Sequence, residues 1–125
     1  MPVSRHPDLE RLLSDPGYAQ SAAEAIQALG APSRLRILAR LHASPASVGE
    51  LAAAVELQHS AVSHQLRLMR LIGLVVGHRE GRRVIYALHD AHVARMLEQV
   101  VSHVDHVRRG IGAEAHPLPS IRLSP

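Results

Sequence analysis

Between Ser47 and Leu88 the chain is punctuated at such short intervals that few element orders fit it. Ser47-Val48-Gly49-Glu50 is a capping box, in which the Ser side chain and the Glu satisfy each other's orphan amides, and it opens a short helix from Val48 to Ala54. A break at Val55-Glu56-Leu57 follows, then a longer helix from about Gln58 to Ile72, stopped by Gly73. Leu74–Arg79 and Arg82–Leu88 are β-rich runs with only Glu80-Gly81 between them, which predicts a two-residue hairpin with the glycine at positive φ. The segment therefore reads as two short helices joined by a tight turn, then a β-ribbon.

The flanks read as helical. Aromatic residues are only 2% of the 125, both of them Tyr, and Phe, Trp and Cys are absent, so the core must come from Leu, Val, Ile, Ala and Met. Such aliphatic cores suit helices packed on helices. Leu9, Leu12 and Leu13 allow one short helix, Asp15-Pro16 starts the next, and Ala19 to Leu29 continues it to Gly30. Ala31-Pro32 opens a third, Pro being well placed in a first turn, and Ser44-Pro45 closes it. Its Leu35, Ile37, Leu38 and Leu41 are expected in the core, with Arg34, Arg36 and Arg40 outward. After the hairpin, Val93, Met96, Leu97, Val100, Val101, Val104 and Val107 repeat at three and four residues along a helix capped by Asp90 and ended by Gly110. The expected organisation is an N-terminal arm at 1–15, one domain at 16–110, and a flexible tail at 111–125. The fold class is mainly α with a small β-hairpin. No apolar run is long enough for a bilayer and no signal segment opens the chain, so a cytoplasmic protein with no membrane partner is expected.

The second helix of the pair turns Val62, Leu66 and Met69 inward and leaves Gln58, His59, Ser60, Ser63, His64 and Arg67 outward. Short polar residues near a helix start reach base edges and phosphates in a major groove without steric conflict. Any amphipathic helix has a polar outer face, and a charged hairpin can be only a soluble sheet edge. Here Arg79, Arg82 and Arg83 flank the hairpin tip directly after the helix pair. Helix-turn-helix followed by a basic hairpin is a winged helix, and its partner is double-stranded DNA. The net charge of +3, carried entirely by Arg with no Lys, is consistent with that.

Asp90, His92, His103 and His106 lie on the last helix at the spacing Asp-x-His-x10-His-x2-His. His92 and His103 are roughly 16 Å apart along the axis but only about 20° apart around it. Two half-sites thus share one stripe and cannot grip the same ion. A twofold partner whose helix runs antiparallel would close them, giving two N/O sites per homodimer. Carboxylate and imidazole suit Zn(II) or Co(II), extendable to six-coordinate Ni(II), and with no cysteine no thiolate site is available. The bland alternative is that Asp90 only caps the helix and the histidines form a polar edge. His116 is an additional candidate ligand, while His42, His59, His78 and His89 read as surface or DNA-side residues.

From about Ala22 to Gly110 the chain resembles the ArsR/SmtB family of metal-sensing winged-helix regulators. The resemblance is carried by Ala31-Pro32-Ser33-Arg34-Leu35-Arg36-Ile37-Leu38, Ser60-Ala61-Val62-Ser63-His64-Gln65-Leu66, Leu71-Ile72-Gly73-Leu74-Val75, Gly81-Arg82-Arg83-Val84-Ile85-Tyr86 and Asp90-x-His92-Val93. It implies a homodimer, joined through terminal helices, that binds a palindromic operator when metal-free and releases it when Ni(II)/Co(II) or Zn(II) binds. It also implies that metal-bound His103 signals through its other ring nitrogen to the main chain of the Leu71 to Leu74 turn. The family's cysteine motif is absent, and Arg108 stands where nickel-sensing relatives carry a further His. Two rivals stay open: a regulator of this fold without metal response, or acting as an activator with a partner protein, and a small metal-dependent hydrolase. The hydrolase lacks a general-base Glu placed as in His-Glu-x-x-His.

Overall fold

The computed structural model describes residues 7–112. The elements run α1 (Pro7–Ser14), α2 (Pro16–Leu29), α3 (Pro32–Ala43), β1 (Ala46–Ser47), α4 (Val48–Val55), α5 (His59–Leu71), β2 (Val75–Glu80), β3 (Arg83–Leu88) and α6 (Ala91–Gly112). The chain divides into two compact units, one ending at His89 and one beginning at Asp90. Among the described residues no helix is long and apolar enough to cross a membrane.

In the first unit, local chemistry sets each boundary. Asp15 accepts from the Tyr18 amide at 3.1 Å and so caps α2, while its other oxygen meets Arg11 at 3.4 Å. The Arg11 guanidinium also lies over the Tyr18 ring, 4.2 Å from its centroid, tying α1 to the start of α2. The capping box forms with both of its bonds: Glu50 N–H to Ser47 Oγ at 3.3 Å and Ser47 N–H to Glu50 Oε1 at 2.9 Å. Glu56 ends α4 in the left-handed region at φ +56°. At the end of α5, Gly73 takes φ +77°, its amide donates to Arg70 O at 3.1 Å, and the Leu74 amide donates to Met69 O at 2.9 Å. Those two bonds are the Schellman pattern, which closes orphan carbonyls and turns the chain into β2.

The core of this unit is aliphatic throughout. Ile37, Leu38, Leu51, Val62, Leu66 and Met69 have no solvent exposure, so α3, α4 and α5 pack on one another through matching stripes. Leu35 is only half-buried. The arginines of α3 do not simply look outward. Arg34 is half-buried, hydrogen-bonds the Gln65 side chain of α5, and donates to Ala28 O at 3.1 Å. Arg36 donates to Val55 O at 3.1 Å, and Arg40 reaches Ser44 O and Oγ at 2.9 and 3.1 Å. Periodicity places a side chain's root on a face, and a long guanidinium stem can still carry its head to a neighbouring carbonyl.

The sheet differs from expectation in two ways. It has three strands in the order β1-β3-β2, because Ala46 and Ser47 pair with Tyr86 and Ile85. Two residues carry no period, so nothing in the pattern announces β1. The hairpin loop is also shifted by one residue from Glu80-Gly81 to Gly81-Arg82. Glu80 pairs across with Arg83, putting opposite charges side by side, and Gly81 alone of the two loop residues takes positive φ, at +62°. A glycine at the first loop position is the requirement of a type II′ turn.

The second unit is α6, which runs through Gly110 to Gly112 rather than ending at Gly110. A single glycine inside a helix costs only about 1 kcal/mol and need not stop it.

Leu66→Ala should lower the stability measured by urea unfolding by about 3 kcal/mol, the cost of a cavity at a site with no exposure. Leu71→Ala, at 79% exposure, should change it by less than about 0.5 kcal/mol.

Candidate nucleic-acid interface and metal-ligand helix

Burial of Val62, Leu66 and Met69 turns the opposite side of α5 to solvent. His59, Ser60, His64 and Arg67 are exposed there, and Ser63 is half-buried. Gln58 precedes the helix as its N-cap residue, with an exposed side chain that makes no capping bond. The His59 ring lies close to Gly49 in the first turn of α4, where an added Cβ would sit 3.5 Å from its Cε1. His59, Ser60, Ser63, His64 and Arg67 thus lie off the buried stripe of α5, with Gln58 just ahead of the helix.

The three wing arginines divide. Arg79 on β2 and Arg82 in the loop are exposed and make no ion pair among the described residues. Arg83 is exposed as well but has a partner in the fold, its Nη2 meeting Glu50 Oε1 at 3.0 Å. The same Glu50 oxygen accepts the Ser47 amide, so one carboxylate joins the start of α4 to the wing. Hydrogen bonding by Ser47, main chain first and side chain second, holds the Glu50 carboxyl below its ordinary 4.5. Desolvation opposes this, and the charges of Arg83 and Arg40 reinforce it.

Sequence reasoning missed part of this surface. A groove of about 530 Å³ lies between α5 and the wing, lined by Ser63, Arg67, Arg70, Leu71 and Tyr86. Arg70 was legible in principle, because positions 63, 67 and 70, at steps of four and three, share one helical stripe. Tyr86 comes from β3, and no local spacing connects it to α5.

On α6, Asp90 is the cap: its Oδ1 accepts from the His92 amide at 2.9 Å and the Val93 amide at 3.3 Å. A carboxylate has about four lone-pair positions, so capping and ligation are compatible. His92, His103 and His106 are all exposed, and they fall within about 60° of one another along the helix. Beside them runs an apolar stripe whose Val100, Val104 and Val107 remain exposed. Because α6 is continuous, the pairs Asp90/His92 and His103/His106 stay about three turns apart. Among the described residues no three His, Asp or Glu come together to hold an ion. His116 lies outside the described residues.

A family model described as a helix-turn-helix domain matches residues 29–78. The chain is similar to the HTH-type transcriptional regulator NmtR of Mycobacterium tuberculosis (strain ATCC 25618 / H37Rv), with 46% identity over 103 residues covering 82% of this chain and 85% of the relative. It is also similar to the transcriptional repressor SmtB homolog of Synechocystis sp. (strain ATCC 27184 / PCC 6803 / Kazusa), with 45% identity over 86 residues, 69% of this chain and 65% of that one. In structure it matches apo-NmtR with a TM-score of 0.65 and 39% identity, over 98% of this chain and 90% of that one. The homodimeric winged helix-turn-helix DNA-binding domain Mb0332 of Mycobacterium bovis matches with a TM-score of 0.69 and 27% identity, over 86% and 95%.

Because the folded Glu50 carboxyl titrates below its unfolded value, its contribution to stability is present above pH 4.5 and lost as pH falls through the lower, folded value. Glu50→Gln keeps a capping side chain and removes the charge. Thermal melts of the two proteins should differ most at neutral pH, with wild type the more stable. The gap should close as acid takes the pH below the folded value. A gap that persists unchanged in acid would show that the Glu50 charge does not secure this junction.

Proposed function

This chain belongs to the ArsR/SmtB family of winged-helix transcriptional regulators, a DNA-binding protein rather than an enzyme, and on that footing we propose that it is a metal-responsive repressor. In this reading it acts in the cytoplasm as a homodimer on a palindromic operator, with its recognition helices in major grooves about 34 Å apart. Gln58, His59, Ser60, Ser63, His64 and Arg67 on and before α5, with Arg79 and Arg82 on the wing, meet the DNA. Arg83 serves chiefly to hold the wing against α4 through Glu50.

The observation that carries the metal response is the unbroken α6, which keeps Asp90/His92 and His103/His106 on one side but too far apart to share an ion. Two α6 helices running antiparallel, joined along the exposed valine stripe, would set Asp90 and His92 of one protomer against His103 and His106 of its partner. The donor set, a carboxylate and three imidazoles per site with no thiolate, fits Zn(II), Co(II) or Ni(II), two ions per dimer. His116 is the candidate for an additional ligand. When bound, the ion would crosslink the two helices and so favour one arrangement of the dimer. A hundredfold loss of DNA affinity requires metal to favour the low-affinity dimer by only about 2.7 kcal/mol.

A second reading has one observation behind it. Asp90 Oδ1 is already the N-cap of α6, so this residue has a structural reason to be present without any metal. A winged-helix regulator with no metal response, or an activator working with a partner protein, would need no more from it than that.

Fluorescence anisotropy on a duplex selected from a random pool separates the two. Zn(II), Ni(II) or Co(II) should weaken wild-type binding, on the order of a hundredfold for the metal that fits. His103→Ala should bind DNA like the metal-free wild type and lose the response. A His103→Ala protein that responds as wild type does would remove the interhelix site. Wild-type binding indifferent to all three metals would favour the second reading.

A further inference from the structure

The groove between α5 and the wing is lined by two guanidiniums, a hydroxyl, a phenol and the Leu71 side chain, with no carboxylate among them. Neither the Arg67 nor the Arg70 guanidinium makes a hydrogen bond or ion pair among the described residues. The contrast is with Arg34, Arg36, Arg40 and Arg83, each of which reaches an acceptor in the fold. Guanidinium offers only donors, and Ser and Tyr hydroxyls can donate as well. Such a groove is complementary to an acceptor-rich anion.

Next to two of the lining residues stands Gly77 on β2, directly across from Tyr86 on β3. A Cβ at this position would stand 3.2 Å from Tyr86 Cε1, 3.2 Å from Val84 Cγ1 and 3.6 Å from Arg70 Nη1. The missing side chain is therefore the space that lets the Tyr86 ring and the Arg70 head settle together over the strand. Arg70 is exposed in the last turn of α5, and its head stands beside β2 of the wing.

We propose that this groove seats a backbone phosphate of duplex DNA, with Arg67 and Arg70 as the charged clamp and Ser63 and Tyr86 as neutral donors. Arg70, Tyr86 and Gly77 are the residues this adds to the DNA-facing surface, and the proposal rests on the DNA-binding reading above. The two ends of α5 then have different roles. Residues of its first turn face base edges, and its second half holds the sugar-phosphate chain where the wing meets the helix. Contacts of the second kind fix register and carry no sequence information.

The decisive measurement is the salt dependence of anisotropy-measured binding by the full chain, to a selected duplex and to one of arbitrary sequence. Arg70→Gln should weaken both duplexes by the same factor, about tenfold. It should also make the negative slope of log K against log salt shallower by about 0.9 for each groove engaged. Tyr86→Phe, which keeps the ring over Gly77, should weaken both about threefold with the slope unchanged. The Tyr86 ring NMR signals should shift with duplex and stay in place with inorganic phosphate at matched ionic strength. An Arg70→Gln protein with the wild-type slope, or one that loses only the selected duplex, overturns the proposal. So does a saturable Tyr86 shift with phosphate alone, which would make the groove a small-anion site. Wild type that binds neither duplex removes the DNA-binding reading itself, and the phosphate seat with it.

Discussion

Everything α5 can offer to a partner follows from the complete desolvation of Val62, Leu66 and Met69. Three buried side chains at spacings of four and three leave a helix no rotational freedom about its own axis. A turn of α5 by one residue would expose all three, at a cost of roughly 1.5–3 kcal/mol for each side chain. Ser63, Arg67 and Arg70 can therefore line a groove only because the opposite stripe is committed to the core, where α5 meets α4 and β2.

Onto that apolar constraint the fold adds a set of polar joints at the surface. Ser47, Glu50 and Arg83 join the first turn of α4 to the wing, and Arg34 joins α3 to Gln65 on α5 and to the end of α2. Neither joint is strong: the exposed Glu50–Arg83 pair is screened by solvent, and the Arg34 bonds go to uncharged oxygens. Their effect is directional: they hold the helix pair and the hairpin in one arrangement. An arginine paired this way stays at the surface with part of its donor set already engaged.

Much of this is legible in the sequence because it is written in short-range chemistry. Asp15-Pro16, the Ser47–Glu50 box, Gly73 and Asp90 mark element ends through bonds that span five residues or fewer, and each acts where its residue type predicts. Differences begin where a local signal has to be resolved to a single residue. The hairpin loop sits one position later because Glu80 gains a cross-strand partner in Arg83, which no inspection of Glu80-Gly81 alone reveals. Gly110 does not stop α6, because a glycine ends a helix only when the backbone actually turns there.

By itself the sequence determined the order of the helices, the existence of the hairpin, the inward stripe of α5 and the spacing of Asp90, His92, His103 and His106 along α6. All of these depend on period and on capping, which act within a few residues. Tertiary structure alone decided that Ala46 and Ser47 join the sheet, that Arg34 turns inward to Gln65, that Arg83 belongs to Glu50, and that Tyr86 faces Arg70 over Gly77. Each of those joins residues far apart in the chain. Such partners are chosen by which surfaces meet when the buried stripes close, and no local periodicity carries that information.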